Sequence, residues 1–335
     1  MKAYITRIAY YLPDVVEENT PGRLMKKTGI ERRHLCPAHM TAGDMAKAAA
    51  EKLFDKGVDR DSVDFLLLCT QSPDYPLPTT ACLLQDRLGL RKNCGALDFN
   101  LGCSGFIYGL GLAKGLIESR QAKRVLLLTS ETYSKYIHPQ DHATGPLFGD
   151  AAAATLISSV EAEEEGLYGF VYGTDGGGAE NLIVPVGGMR NRYQDTPVEE
   201  RTDDYGNIRT NRDLFMNGSE IMNFALEVVP QAIEDILSKT SLTRAGIDYF
   251  VFHQANRMML SYLQEKCGLL NVPYWNDVRD YGNTVSSSIP VALCDMLSRH
   301  PESECKRVVL VGFGVGLSWG GCVGNLSYVT GRLER

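Results

Sequence analysis

Three side chains in this sequence belong to types that together handle acyl groups: a cysteine, a histidine and an asparagine, each beside a turn. Cys103 lies in "LDFNLGCSGFIYGLGLAKGL", Leu97 to Leu116. Gly102 and Gly105 flank it, so the chain can bend sharply and present the thiol where an apolar helix begins. The dipole and free N–H groups of a helix start favour the thiolate, the form that attacks acyl carbons. A small cysteine packed inertly at a helix start is the other reading of the same pattern. His253 closes the apolar run "YFVFH" and leads into "QANRMML". That puts it at the C-terminal edge of a strand, where α/β sheets collect ligands, although a purely structural histidine also fits. Asn283 stands in "YGNTVSSSIP" just before a helical pattern, where capping the helix is the ordinary use. Finally, "GFGVGLSWGG", Gly312 to Gly321, lets the backbone approach a ligand and aim N–H groups at an oxyanion. Its spacing does not fit a dinucleotide fingerprint, and a strand rather than a helix is expected after it.

The elements that must position these residues alternate between strands and helices, the pattern of an α/β protein. Strands are expected at 4–11, 65–70, 96–100, 125–130, 152–158, 168–174, 249–253, 308–312 and 322–329. Helices are expected at 42–56, 80–88, 105–118, 219–238, 258–266 and 289–298. Two halves repeat in order and spacing. Asp64 opens "FLLLCTQ", Cys103 follows 39 residues later, and "KRVLLL" begins 20 further on at Lys123. Asp248 opens "YFVFHQ", Ser286 follows 38 residues later, and "KRVVLV" begins 20 further on at Lys306. The chain is therefore read as two similar halves, residues 1–165 with the cysteine and 166–335 with His253, Asn283 and the glycine loop. The repeat turns both helix-start loops and the end of the His253 strand towards one face. A polar, charged segment at residues 187–213 has no counterpart in the first half and is expected to be a lid, a binding loop or disordered.

Composition narrows the class. At 335 residues the chain is long enough for two large cores. The net charge of -7 disfavours general nucleic-acid binding, which needs a basic footprint. No apolar run reaches membrane-spanning length, and Arg7 and Asp14 interrupt the N-terminus where an export signal would be apolar, so the cytoplasm is expected. Nine cysteines without CxxC spacing argue against a disulfide framework or a structural zinc site.

Taken together, "GCSGF", "FGDAAAATL", "FHQANRMM", "YGNTVSSSIP" and "GFGVGLSWGG", in this order, resemble the β-ketoacyl-acyl-carrier-protein synthase III family of the thiolase superfamily. The resemblance runs over essentially the whole chain. It implies a five-layered αβαβα fold of two similar halves, a homodimer, and no cofactor beyond coenzyme A (CoA) or phosphopantetheine thioesters as substrates. It also implies an acyl carrier protein as partner. By the same resemblance, Cys103 matches the nucleophile that takes an acyl group. His253 and Asn283 match the pair that binds a malonyl thioester and promotes its decarboxylation, and the backbone N–H groups of Cys103 and Val315 match the oxyanion hole. Phe313 and Gly314 are expected beside the acyl group, together with Leu77, at the position of a dimer-partner residue that closes the acyl pocket. Lys27 and His142 match the CoA-contacting arginines, and Arg257 is a shifted counterpart of another basic contact. Arg190 and Arg192 are further candidates for carrier phosphates. The family's adenine-stacking tryptophan has no counterpart; Arg23 stands roughly there.

The family's neighbours fit less well. Biosynthetic thiolases carry a second cysteine where this chain has Gly312, hydroxymethylglutaryl-CoA synthases use a first-half glutamate for which no motif is seen, and chalcone-synthase-like enzymes lack "HQAN". The departures at Arg23, Lys27, His142 and Leu77 point to a primer other than acetyl-CoA. The alternatives kept open are acyl transfer to a hydroxyl or amine without decarboxylation, and a chalcone-synthase-like polyketide synthase.

Overall fold

The computed structural model describes residues 1–301 and 304–330; the last five positions of the second half lie outside the described residues. Two five-stranded sheets dominate. The first is built from β1 (Lys2–Tyr11), β4 (Phe65–Cys69), β5 (Gly95–Phe99), β6 (Arg124–Glu131) and β7 (Ala151–Val160), in the order β1-β7-β6-β4-β5. The second is built from β8 (Leu167–Thr174), β13 (Tyr249–Phe252), β14 (Tyr274–Trp275), β15 (Val308–Gly314) and β16 (Ser318–Gly324), in the order β14-β13-β15-β16-β8. Read from the opposite end, the second order repeats the first. The directions repeat too: β4 runs parallel to β5 and β6, and β13 parallel to β14 and β15, while β6/β7 and β15/β16 are antiparallel. Near-continuous apolar runs such as "FLLLC" and "VVLVGFG" suit strands covered on both faces.

The repeat extends to single hydrogen bonds. The Asp64 carboxylate accepts the backbone N–H groups of Lys123 and Arg124, at 2.7 and 3.1 Å, while its own N–H donates to the Arg124 carbonyl. Asp248 repeats this with Arg307: its carboxylate accepts the Arg307 N–H at 2.7 Å and its N–H donates to the Arg307 carbonyl. The two aspartates that open the repeated strands therefore tie off the start of the next strand in each half.

Helices complete the layers. α2 (Ala42–Asp55) and α3 (Thr80–Arg87) cover the first sheet, α5 (Gly218–Thr240) and α6 (Arg257–Lys266) cover the second, and α4 (Gly105–Glu118) and α8 (Ser288–Arg299) lie between the sheets. The result is the αβαβα sandwich. Every residue of α8 from Ser288 to Leu297 is buried, as a helix between two sheets must be. Smaller elements complete the fold: α1 (Arg23–Thr28), α7 (Val278–Tyr281), the ladder of β2 (Val15–Glu18) with β3 (Arg32–Leu35), that of β9 (Leu182–Ile183) with β12 (Phe215–Met216), and that of β10 (Glu200–Thr202) with β11 (Ile208–Thr210).

Two expectations need correction. The last strand is not at 322–329 but begins four residues earlier and stops at Gly324. A Cβ on Gly320 would stand 3.2 Å from Ile107, and one on Gly321 would stand 2.6 Å from Ile236, so glycines let this strand lie close to the helices that carry those residues. The segment 187–213 is not disordered. It carries the β10/β11 hairpin, whose Arg209 pairs with Asp141, a carboxylate whose side chain is only 1% exposed.

Candidate active site

Cys103 follows β5 and precedes α4, with Ser104 at the helix cap. Glycines make this turn possible by removing side chains from three specific places. A Cβ on Gly312 would stand 2.7 Å from the Cys103 carbonyl oxygen, and one on Gly314 would stand 2.9 Å from both the Cβ and the Sγ of Cys103. A Cβ on Gly102 would meet Val315 at 2.4 Å and the Gln71 amide oxygen at 2.7 Å. The glycine loop thus approaches the nucleophile's own backbone. Ser104 Oγ, 2.7 Å from Ser318 Oγ, pins the helix start to β16.

His253 follows β13, its N–H donating to Val311 at 2.8 Å, and the edge of Phe313 packs on its ring. Asn283 is held from the first half: its N–H donates to the Leu147 carbonyl and its carbonyl accepts the Gly149 N–H. Its Oδ1 accepts the N–H of Val285, at 2.9 Å, which leaves the amide Nδ2 as the donor available to a ligand. Val285 holds φ at 53°, a left-handed conformation that costs a β-branched residue energy and persists where its surroundings enforce it.

The three side chains open on one cavity of about 730 Å³. Phe313, Gly314 and Lys27 share its lining, as do Tyr133, Phe148 and Met259; Phe148 and Met259 stand inside the motifs "FGDAAAATL" and "FHQANRMM" without having been singled out, and Tyr133 lies in no motif. Val315 reaches the site through its backbone: its N–H and that of Cys103 act on the Cys103 thiol. Tyr205, at the tip of the β10/β11 hairpin, also lines the cavity although 92% exposed, so segment 187–213 contributes a wall of the mouth. The remaining candidates lie elsewhere. His142 is exposed on the surface. Arg190 lines a separate cavity of about 800 Å³ formed by the same segment, and Arg192 is ion-paired with Asp195. Arg257 donates to the Lys26 carbonyl, tying α6 to α1. Leu77 is 81% exposed and does not line the cavity of its own protomer.

Electrostatics correct one further expectation. The helix start does bring N–H groups to the thiol, but burial outweighs them and pushes the Cys103 thiol well above its ordinary value, with Glu131 adding to the rise. Burial also lowers His253 to about 3, opposed by the backbone of Val285. Glu131, the last residue of β6, is a buried carboxyl that no motif announced. It is wholly buried and raised to about 8 by desolvation, and it accepts the Gln71 N–H at 3.0 Å and the Ser286 hydroxyl at 2.8 Å. It lies outside the cavity lining. Thiol, imidazole and buried carboxyl are thus all neutral near pH 7, so the site offers uncharged donors to a developing negative charge.

Comparison with known proteins identifies the class. The profile described as 3-oxoacyl-[acyl-carrier-protein (ACP)] synthase III matches residues 97–176, and its C-terminal counterpart matches residues 237–326. The β-ketoacyl-[acyl-carrier-protein] synthase III of Clostridium perfringens is 35% identical over 294 residues, covering 88% of this chain and 87% of its own. A crystal structure of a 3-oxoacyl-(acyl-carrier-protein) synthase III superposes with a TM-score of 0.94 at 46% identity, covering 97% of this chain and 100% of that one. A 3-oxoacyl-(acyl-carrier protein) synthase from Burkholderia xenovorans LB400 gives 0.88 at 36% identity, over 98% of this chain and 95% of that one. The fold is that of the thiolase superfamily. Within it, the chain belongs to the β-ketoacyl-acyl-carrier-protein synthase III family, acyltransferases that act as condensing enzymes in fatty-acid biosynthesis.

Proposed function

We propose that Cys103 carries the primer acyl group and that His253 and Asn283 bind the malonyl thioester and drive its decarboxylation. The observation that carries this reading is the meeting of all three side chains on one cavity, with the N–H groups of Cys103 and Val315 turned on the thiol. Cys103 Sγ attacks the primer thioester, the C–S bond to the carrier breaks, and the thiol proton ends on the departing thiol. The N–H groups of Cys103 and Val315 take the oxyanion of the tetrahedral intermediate. Malonyl thioester then loses CO2, and its electron pair becomes an enolate held by neutral donors on His253 and Asn283. The enolate carbon attacks the acyl-Cys103 carbonyl, a C–C bond forms, the C–S bond to Cys103 breaks, and the departing thiolate takes a proton from water. Dividing the reaction at the acyl-enzyme replaces one difficult step with two easier ones. The Asn283 amide, bonded so that its NH2 faces out, favours this over acyl transfer without decarboxylation.

The primer is other than acetyl-CoA, delivered on CoA or on acyl carrier protein, and the enzyme works as a cytoplasmic homodimer without a bound cofactor. Among the described residues no helix is long and apolar enough to cross a membrane. One observation supports the larger primer: the cavity walls near Cys103 are mostly apolar. Intact-protein mass spectrometry with a panel of acyl-CoA and acyl-carrier thioesters tests this. The expected result is one acyl adduct with medium-chain or branched primers, absent in Cys103→Ala. Acetyl-CoA loading as fast as any other primer would refute the primer assignment, and an adduct surviving in Cys103→Ala would refute the nucleophile.

A further inference from the structure

A neutral imidazole has one N–H, and the nitrogen that carries it decides whether His253 donates to a thioester carbonyl or accepts from a reacting group. Three consecutive serines lie where α8 begins, and each has a different partner. Ser286 donates to Glu131, at 2.8 Å. Ser287 Oγ lies 2.9 Å from Thr129 Oγ1 and donates to the Ala151 carbonyl at 3.2 Å. Ser288 Oγ lies 2.7 Å from His253 Nδ1 and accepts the N–H of Gln254 at 3.3 Å.

A serine hydroxyl has a single proton. The Gln254 N–H can only donate to Ser288, so among the described residues Nδ1 is the one acceptor bonded to this buried hydroxyl, and a proton on Nδ1 would leave the Ser288 proton without a partner. Gln254 is itself immobilised, its side-chain amide donating to the Phe252 carbonyl and accepting the Asp277 N–H, both at 2.7 Å. The N–H that fixes Ser288 is therefore not free to swing away. Nδ1 is then the acceptor, the buried ring stays neutral, and its one proton falls on Nε2. Nε2 is then the ring nitrogen left for the cavity that His253 lines.

We propose that Ser288 is a positioning residue whose hydroxyl holds His253 in the Nε2–H tautomer, so that the histidine donates to the thioester carbonyl. This rests on the function proposed above. The Val285 backbone also acts on the ring and raises its pKa, as an acceptor of a ring N–H does; with Nδ1 accepting from Ser288, the N–H it meets is that of Nε2, the same tautomer.

Two measurements test the proposal. Malonyl-thioester decarboxylation and Cys103 acylation are followed in wild type, Ser288→Ala, Ser288→Thr and Ser287→Ala. Ser288→Ala should lose decarboxylation on the order of a hundredfold, the scale of a misplaced catalytic group, while Cys103 acylates as in wild type. Ser288→Thr should restore it, and Ser287→Ala, which removes a neighbouring buried hydroxyl, should keep both activities. Decarboxylation in Ser288→Ala at the wild-type rate, or an equal loss in Ser287→Ala, would overturn the proposal. The second measurement needs no Ser288 variant to fold: the 15N spectrum of histidine-labelled wild type, with His253→Gln subtracted to assign the ring. A protonated Nε2 is expected, and a protonated Nδ1 would sink the idea. A wild type that neither acylates nor decarboxylates would count against the proposed function instead, and the spectrum would still decide the tautomer.

Discussion

Burial sets the charge state around Cys103, and Glu131 is where this can be measured. Desolvation raises its carboxyl from 4.5 to about 8, so the folded protein keeps a proton that the unfolded chain releases above about 4.5. The stabilising contribution is then complete below 4.5 and is lost as pH rises through about 8. Glu131→Gln keeps an acceptor for Ser286 but cannot ionise. Urea unfolding between pH 5.5 and 9 should find the variant gaining on wild type as pH rises, by an amount on the order of a few kcal/mol. A difference that does not change with pH would contradict the assignment. Because the Glu131 charge raises the thiol, the variant should also alkylate faster at Cys103 with iodoacetamide at alkaline pH. At this scale the sequence was informative about residue type and silent about ionisation. Cys103, His253 and Asn283 stand out by their turns, but the thiolate favoured by the helix start is overruled by desolvation, which depends on neighbours that no local window contains.

Two elements hold the site in shape. In the β15/β16 hairpin, Gly314 contacts Cys103 so closely that alanine would have to displace the nucleophile. Gly314→Ala is expected to cost about 1–3 kcal/mol as an overpacked site and to slow Cys103 acylation sharply. Acyl loading followed by mass spectrometry and a denaturant melt check this together, and full acylation would show that the contact yields. In the β10/β11 hairpin, Arg209 bonds both Asp141 and Asp203. Arg209→Ala leaves Asp141 buried without its cation, a loss on the order of 3–5 kcal/mol when a buried pair is broken on one side. Hydrogen exchange should accelerate over residues 200–210, and KM for the thioester should rise because Tyr205 no longer has a fixed place at the mouth. Unchanged exchange there would mean that other contacts hold the hairpin. The strong apolar runs placed nearly every main strand and helix within a residue or two. The short pieces were missed because α1 and α7, at six and four residues, are too short to show a helical period, and the β2/β3, β9/β12 and β10/β11 ladders, at four, two and three residues a strand, are too short to show alternation.

At the scale of the whole molecule, the outermost strand of the first sheet bears on assembly. β5 sits at the sheet edge with Leu97 44% exposed, and Leu77 and Tyr75 project from an adjoining loop at 81% and 58%. An uncovered edge strand with apolar neighbours is a place where a second sheet can pair, which agrees with the proposed homodimer. Light scattering should give about twice the chain mass of 36.9 kDa for wild type and the chain mass itself for Leu97→Arg. A dimeric variant would move the interface elsewhere. By itself the sequence determined the α/β class and the internal repeat, and it singled out the three candidate site residues. These follow from local periodicity, turn residues and constant spacing, all of which act along the chain. Only the tertiary structure decided that Glu131 lies buried near the nucleophile and that the glycine loop fits against Cys103 itself. It alone put Tyr205 at the mouth and Ser288 on the His253 ring. Each of these depends on segments that meet only when both sheets close on the two central helices, and burial and hydrogen-bond partners exist only after that closure.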